Sequence, residues 1–103
     1  MVELSEKTFA DYTAEEVTVV DFWAEWCGPC KTLAPIYAQA AAKFEGRARF
    51  AKLNVDDAPK IASEMRVMSI PTIVVFKNGQ EVNRIVGARG LDVLEREIES
   101  FIS

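Results

Sequence analysis

Eight residues, Val17-Thr18-Val19-Val20-Asp21-Phe22-Trp23-Ala24, form a nearly unbroken apolar run that constrains the fold more than any other segment. A strand with one wet face alternates polar and apolar side chains. A run apolar at both parities needs cover on both faces and belongs in the middle of a sheet. One carboxylate interrupts it. Alternation puts Asp21 on the same face as Val19 and Trp23, and six residues beyond it stands Cys27, separated from Cys30 only by Gly28-Pro29. An acid buried so close to two thiols calls for an explanation.

The flanking segments supply the rest of a layered fold. Val2 to Leu4 reads as a short first strand, and Ser5 as the cap of a helix over Glu6 to Tyr12. From Cys30 on, Leu33, Ile36, Tyr37, Ala40 and Phe44 recur at helical spacing, with Gly46 as the C-terminal cap. Pro35 falls inside that helix, removes its bond to the Lys31 carbonyl and predicts a kink. Ala48 to Val55 alternates as a strand, and Asp57 and Pro59 open a short helix to about Met65. Thr72 to Phe76 and Glu81 to Val86 flank Asn78-Gly79, whose tolerance of positive φ signals a hairpin. Past Gly90, the residues Leu91, Leu94, Ile98, Phe101 and Ile102 make the apolar stripe of a last helix. The order β-α-β-α-β-α-β-β-α predicts an α/β fold, a central mixed five-stranded sheet flanked by four helices. With 103 residues, half of them hydrophobic, and no linker or repeat, residues 1–103 read as one domain.

Several classes of function are disfavoured. The net charge is −4 and the twelve basic residues are scattered singly, whereas phosphate backbones and anionic membrane surfaces are bound through clustered Lys and Arg. No apolar run approaches the roughly 20 residues that span a bilayer. The N-terminal Met1 to Phe9 segment is acidic and does not read as a signal peptide. A reducing, cytoplasmic location is therefore the expectation.

Two cysteines cannot build a disulfide scaffold; their position must explain them. At the mouth of a helix, Cys27 meets unpaired backbone N–H groups and the positive end of the helix dipole, both of which favour a thiolate. Cys30 lies one turn further in, near enough to close a small disulfide ring, and Pro29 restricts the backbone between them. Disulfide exchange needs one thiolate that attacks and one thiol that resolves the mixed disulfide. Zinc would need two more ligands, and the chain has no histidine or further cysteine. A metal or iron–sulfur site shared across a dimer, and a purely structural disulfide, stay open as alternatives, although so small a ring constrains the unfolded chain little.

Trp26-Cys27-Gly28-Pro29-Cys30 resembles the active-site motif of the thioredoxin family. The likeness extends through Val20 to Lys31, Lys52 to Asp56, Ile70 to Thr72, Phe76 to Gly79 and Val86 to Ala88, in family order, and so covers essentially the whole chain. It implies the thioredoxin fold and a protein disulfide reductase that cycles Cys27 and Cys30 through a mixed disulfide. Burial would raise the Asp21 pKa, and a carboxylate titrating nearer neutrality can take the Cys30 proton; similarity to the family implies that role, through a water. A carboxylate that merely caps a backbone N–H or pairs with a cation is the bland alternative. The resemblance places the Lys52 ammonium near Asp21, where it would tune the transfer, against the alternative of a lysine snorkelling to water.

The same resemblance implies a cis Ile70–Pro71 bond facing the cysteines and an Ile70 backbone free to pair with an extended substrate. Trp26, Gly28, Pro29, Ile70, Pro71, Val86, Gly87 and Ala88 would form that platform; Trp23 reads as core, and Val86 fits either place. Met68 and Ser69 stand where many family members carry a basic residue or glycine, which bears on partner preference. Gly-Pro rather than histidine between the cysteines favours the reducing end of the family. Expected partners are disulfide-containing proteins and a flavin-containing, NADPH-dependent thioredoxin reductase, with the chain acting as a monomer without cofactor or metal. A redox-independent binding module, or a subunit of a larger complex, is the alternative from a different class.

Overall fold

A computed structural model describes residues 1–103. In chain order the elements are β1 (Val2–Leu4), α1 (Phe9–Thr13), β2 (Val17–Trp23), α2 (Gly28–Lys43), β3 (Arg49–Asn54), α3 (Pro59–Glu64), β4 (Thr72–Lys77), β5 (Gln80–Val86) and α4 (Leu91–Ile102). The sheet order is β1-β3-β2-β4-β5, so β2 holds the middle. It runs parallel to β3 and antiparallel to β4, which makes the sheet mixed. Thr18, Val19, Val20, Asp21 and Phe22 are all buried, as an apolar run at both parities requires.

Alternation along the strands sorts the core into two layers. Val20, Phe22, Ala51, Leu53, Val74 and Phe76 pack toward Phe9 of α1 and Ala58 ahead of α3. Val19, Phe50, Ile73, Val75 and Ile85 face Leu33, Tyr37 and Ala40 of α2 and Leu94 and Ile98 of α4. Each fully buried aliphatic or aromatic side chain contributes roughly 1.5–3 kcal/mol. Asp21 belongs to the second layer, between Lys52 on β3 and Ile73 on β4 in register.

Local chemistry sets the element ends. Cys27, extended at φ −90° and ψ 108°, is the N-cap of α2, and Pro29 sits in the first turn, where its missing N–H costs no hydrogen bond. The helix thus starts at Gly28, ahead of the periodic signal at Cys30, and it runs on either side of Pro35. Ser5 caps a turn rather than a helix: its Oγ accepts from the Thr8 N–H at 3.3 Å while its own N–H donates to Thr8 Oγ1 at 2.9 Å. In consequence α1 begins at Phe9, later than Glu6. Asn78 and Gly79 form the two-residue turn between β4 and β5, with φ of 50° and 88°, the double positive φ of a type I′ hairpin. Register slips between Val75 and Phe76, leaving Val82 as the extra residue of a bulge.

Candidate active site

Three chain segments meet at one end of the sheet. The end of β2 leads through Ala24 to Trp26 into the head of α2; the Ser69 to Thr72 segment enters β4; and Val86 to Ala88 leaves β5. Gly87, at φ 93°, donates its N–H to the Pro71 carbonyl at 2.8 Å and so ties the last two segments together. The Ile70–Pro71 peptide bond is cis.

Cys27 and Cys30 are joined as a disulfide with their Cα atoms 5.2 Å apart. Cys27 Sγ accepts the Cys30 N–H at 3.2 Å, one of the donors that a helix N-terminus leaves free, and it lies 3.7 Å from the Ile70 carbonyl oxygen. The pair forms a small buried cluster with Ala24, flanked by Trp23, Val55 and Ile70. An exposed attacking sulfur is the expectation from exchange chemistry, yet in this oxidised form Cys27 is 4% exposed and Cys30 2%. The Ile70 segment on one side and the chain turning from Ala24 into α2 on the other cover both sulfurs.

Asp21 is 1% exposed, and neither carboxylate oxygen has a protein hydrogen-bond partner. Burial raises its pKa from 3.8 to about 7, partly offset by the positive charge of Lys52 and reinforced by the negative charge of Glu3. It lies on the sheet face covered by α2, the helix whose first turn carries Cys30. A buried carboxyl that titrates near neutrality thus shares a core layer with the helix that carries Cys30.

Two comparisons bear on these observations. The family model for Thioredoxin matches residues 1–100. A Thioredoxin of Staphylococcus saprophyticus is 41% identical over 102 residues, covering 99% of this chain and 98% of its own. A Thioredoxin of Staphylococcus aureus strain Mu50 is 47% identical with the same coverage. The chain belongs to the thioredoxin family. It is accordingly a thiol-disulfide oxidoreductase with the five-stranded, four-helix fold of that family, and a redox-independent binding role is not favoured.

Against the expectations for a family site, the platform residues divide. Trp26 is 70% exposed, its indole held by Asp56 at 2.8 Å. Val86 is half exposed and thus not core. Around Gly28 there is open space: nothing would meet a Cβ there. The Lys52 ammonium is not in ion-pair contact with Asp21 or any other carboxylate; it rests over the Trp23 ring, 4.2 Å from the centroid. Trp23, read as core, is half-buried, and its Nε1–H donates to Glu3 Oε2 at 3.0 Å.

Sequence reasoning missed one wall of the site. A groove of about 590 Å³ runs from Trp26 and Ile70 over Val55 to Ala62, Arg66 and Met68, adding α3 and its exit to the platform. No local pattern announced it: Val67 and Met68 follow a short helix, and Met68 is left 92% exposed beside Trp26 only once α3 has folded.

Proposed function

We propose that this chain reduces disulfides in protein substrates, with Cys27 as the attacking nucleophile, Cys30 as the resolving thiol and Asp21 as its base. The Cys27 thiolate attacks one substrate sulfur; the other substrate sulfur leaves as a thiolate and takes up a proton. Asp21 takes the Cys30 proton through a water, and the Cys30 thiolate attacks the Cys27 sulfur. The second substrate sulfur then leaves and is protonated, so two electrons and two protons pass to the substrate as the Cys27–Cys30 disulfide forms. The reverse exchange, with a flavin-containing, NADPH-dependent reductase as donor, restores the dithiol.

The observation that carries this proposal is the Cys27–Cys30 disulfide at the head of α2, with Cys27 Sγ on a free helix N–H. Lys52 tunes Asp21 as the nearby cation, and its charge already acts to lower the carboxyl pKa. Trp26, Gly28, Pro29, Ile70, Pro71, Val86, Gly87 and Ala88 receive an extended substrate strand, flat contact and backbone pairing asking little of its side chains. Both thiols, the carboxylate and the platform come from one chain, so a monomer suffices. No helix is long and apolar enough to cross a membrane, and a reducing cytosol suits a dithiol that donates electrons.

The test is reduction of a protein carrying one accessible disulfide, with a small dithiol as electron source. C27S should abolish turnover and form no covalent adduct, while C30S should accumulate the mixed disulfide between Cys27 and substrate. Turnover that survives in the double variant would refute the scheme.

A further inference from the structure

One row of side chains crosses the whole sheet in register. Glu3 on β1 pairs with Lys52 on β3, Lys52 with Asp21 on β2, Asp21 with Ile73 on β4, and Ile73 with Ile85 on β5. Partners in register share a face, here the face under α2 and α4. Along the row the chain passes from an exposed acid through a cation to a buried acid, and then to hydrocarbon. Trp23 links the first two members, since its indole N–H is on Glu3 and its ring lies under the Lys52 ammonium.

Lys52 therefore has two places to put its charge. One is against the Asp21 carboxylate, its neighbour in register. The other is the ring face of Trp23, where the quadrupole attracts a cation and the Glu3 carboxylate adds negative charge at the ring edge. The ammonium takes the second place. We propose that Glu3 is a positioning residue for Asp21: by anchoring the Trp23 indole and drawing the Lys52 ammonium onto it, Glu3 keeps that cation from closing on the buried carboxylate. This inference rests on the role proposed for Asp21.

Two charged neighbours act on Asp21 in opposite directions. Lys52 lowers its pKa and Glu3 raises it. From α2, the Tyr37 phenol faces it, pushed well above its ordinary value chiefly by burial, and donates toward the Val19 and Ala51 carbonyl oxygens. Cys30 comes from the first turn of the same helix. The facing member of β4 is Ile73, and α4 presents Leu94 and Ile98; neither carries charge. Glu3 is thus the only acid besides Asp21 itself in the row. Loss of its charge removes a direct repulsion and frees Lys52 to lean inward, and both effects make Asp21 easier to ionise.

The experiment follows the Asp21 carboxyl carbon by NMR through a pH titration of the oxidised protein, with D21N to assign the signal. E3Q keeps an oxygen acceptor for the Trp23 N–H and removes only the charge, at an exposed edge-strand position where folding is little disturbed. Its Asp21 midpoint should fall by about half a unit, roughly a threefold change in ionisation constant. E3A should lower it at least as far and also move the Trp23 indole N–H resonance. A midpoint unmoved or raised in E3Q, including the case where E3A shifts only the indole signal, overturns the proposal and leaves Glu3 a structural anchor. The readout does not depend on turnover. A failure of the Asp21 base assignment would appear instead as D21N resolving the mixed disulfide with unchanged rate and pH dependence.

Discussion

Asp21 is the residue at which function and stability pull apart. Its pKa is about 7 in the folded chain against 3.8 for an ordinary aspartate, so the folded state binds the proton more tightly than the unfolded state does. Below about pH 4 both states are protonated and the group is neutral in the balance. As pH rises toward 7 the unfolded chain ionises first and stability falls, with the full cost of about 4 kcal/mol present above pH 7. D21N should therefore flatten the loss between pH 4 and pH 8, measured as the difference between wild-type and variant denaturant midpoints; parallel profiles would show that burial does not perturb this carboxyl. Tyr37 makes the opposite kind of contribution. Its hydroxyl, 2.8 Å from the Ala51 carbonyl oxygen and 3.1 Å from that of Val19, serves two buried acceptors on neighbouring strands. Tyr37→Phe should cost about 1 kcal/mol in chemical denaturation without changing the redox chemistry.

Elements whose signals are local were legible from the chain, and those set by distant contacts were not. The burial of β2, the Asn78-Gly79 turn and the apolar stripe of α4 follow from neighbours a few residues apart. The start of α1 did not, because the reciprocal Ser5–Thr8 bonds stabilise a turn where a cap and a helix N-terminus were equally readable. The position of the Lys52 ammonium over Trp23 depends on β1, β2 and β3 lying side by side, which no local pattern encodes. The groove wall from Ala62 to Met68 likewise needs α3 folded beside Trp26. Two substitutions probe the legible elements. Gly79→Ala should cost roughly 1–2 kcal/mol, because φ of 88° strains any side chain. Leu94→Ala, which empties a fully buried position between α4 and the sheet, should cost about 2–5 kcal/mol, read as a lowered denaturant midpoint.

At the scale of the whole molecule, a rigid sheet holds an acid beneath a helix that begins with one thiol and carries the second a turn later. Three loops come together at one end of that sheet, where Trp26 and Met68 stand exposed. Flat contact and backbone pairing ask little of a partner's side chains, which suits the proposed reductant. Its direction rests on which redox state the fold favours. The most direct test is a redox equilibrium titration against glutathione, followed by the fluorescence of Trp23 and Trp26, the first flanking the cysteine pair and the second adjoining Cys27. A reversible two-electron transition confined to strongly reducing poise is the predicted result. A transition at mild poise would make the chain an oxidant or isomerase, and the absence of any transition would leave Cys27 and Cys30 without a redox role.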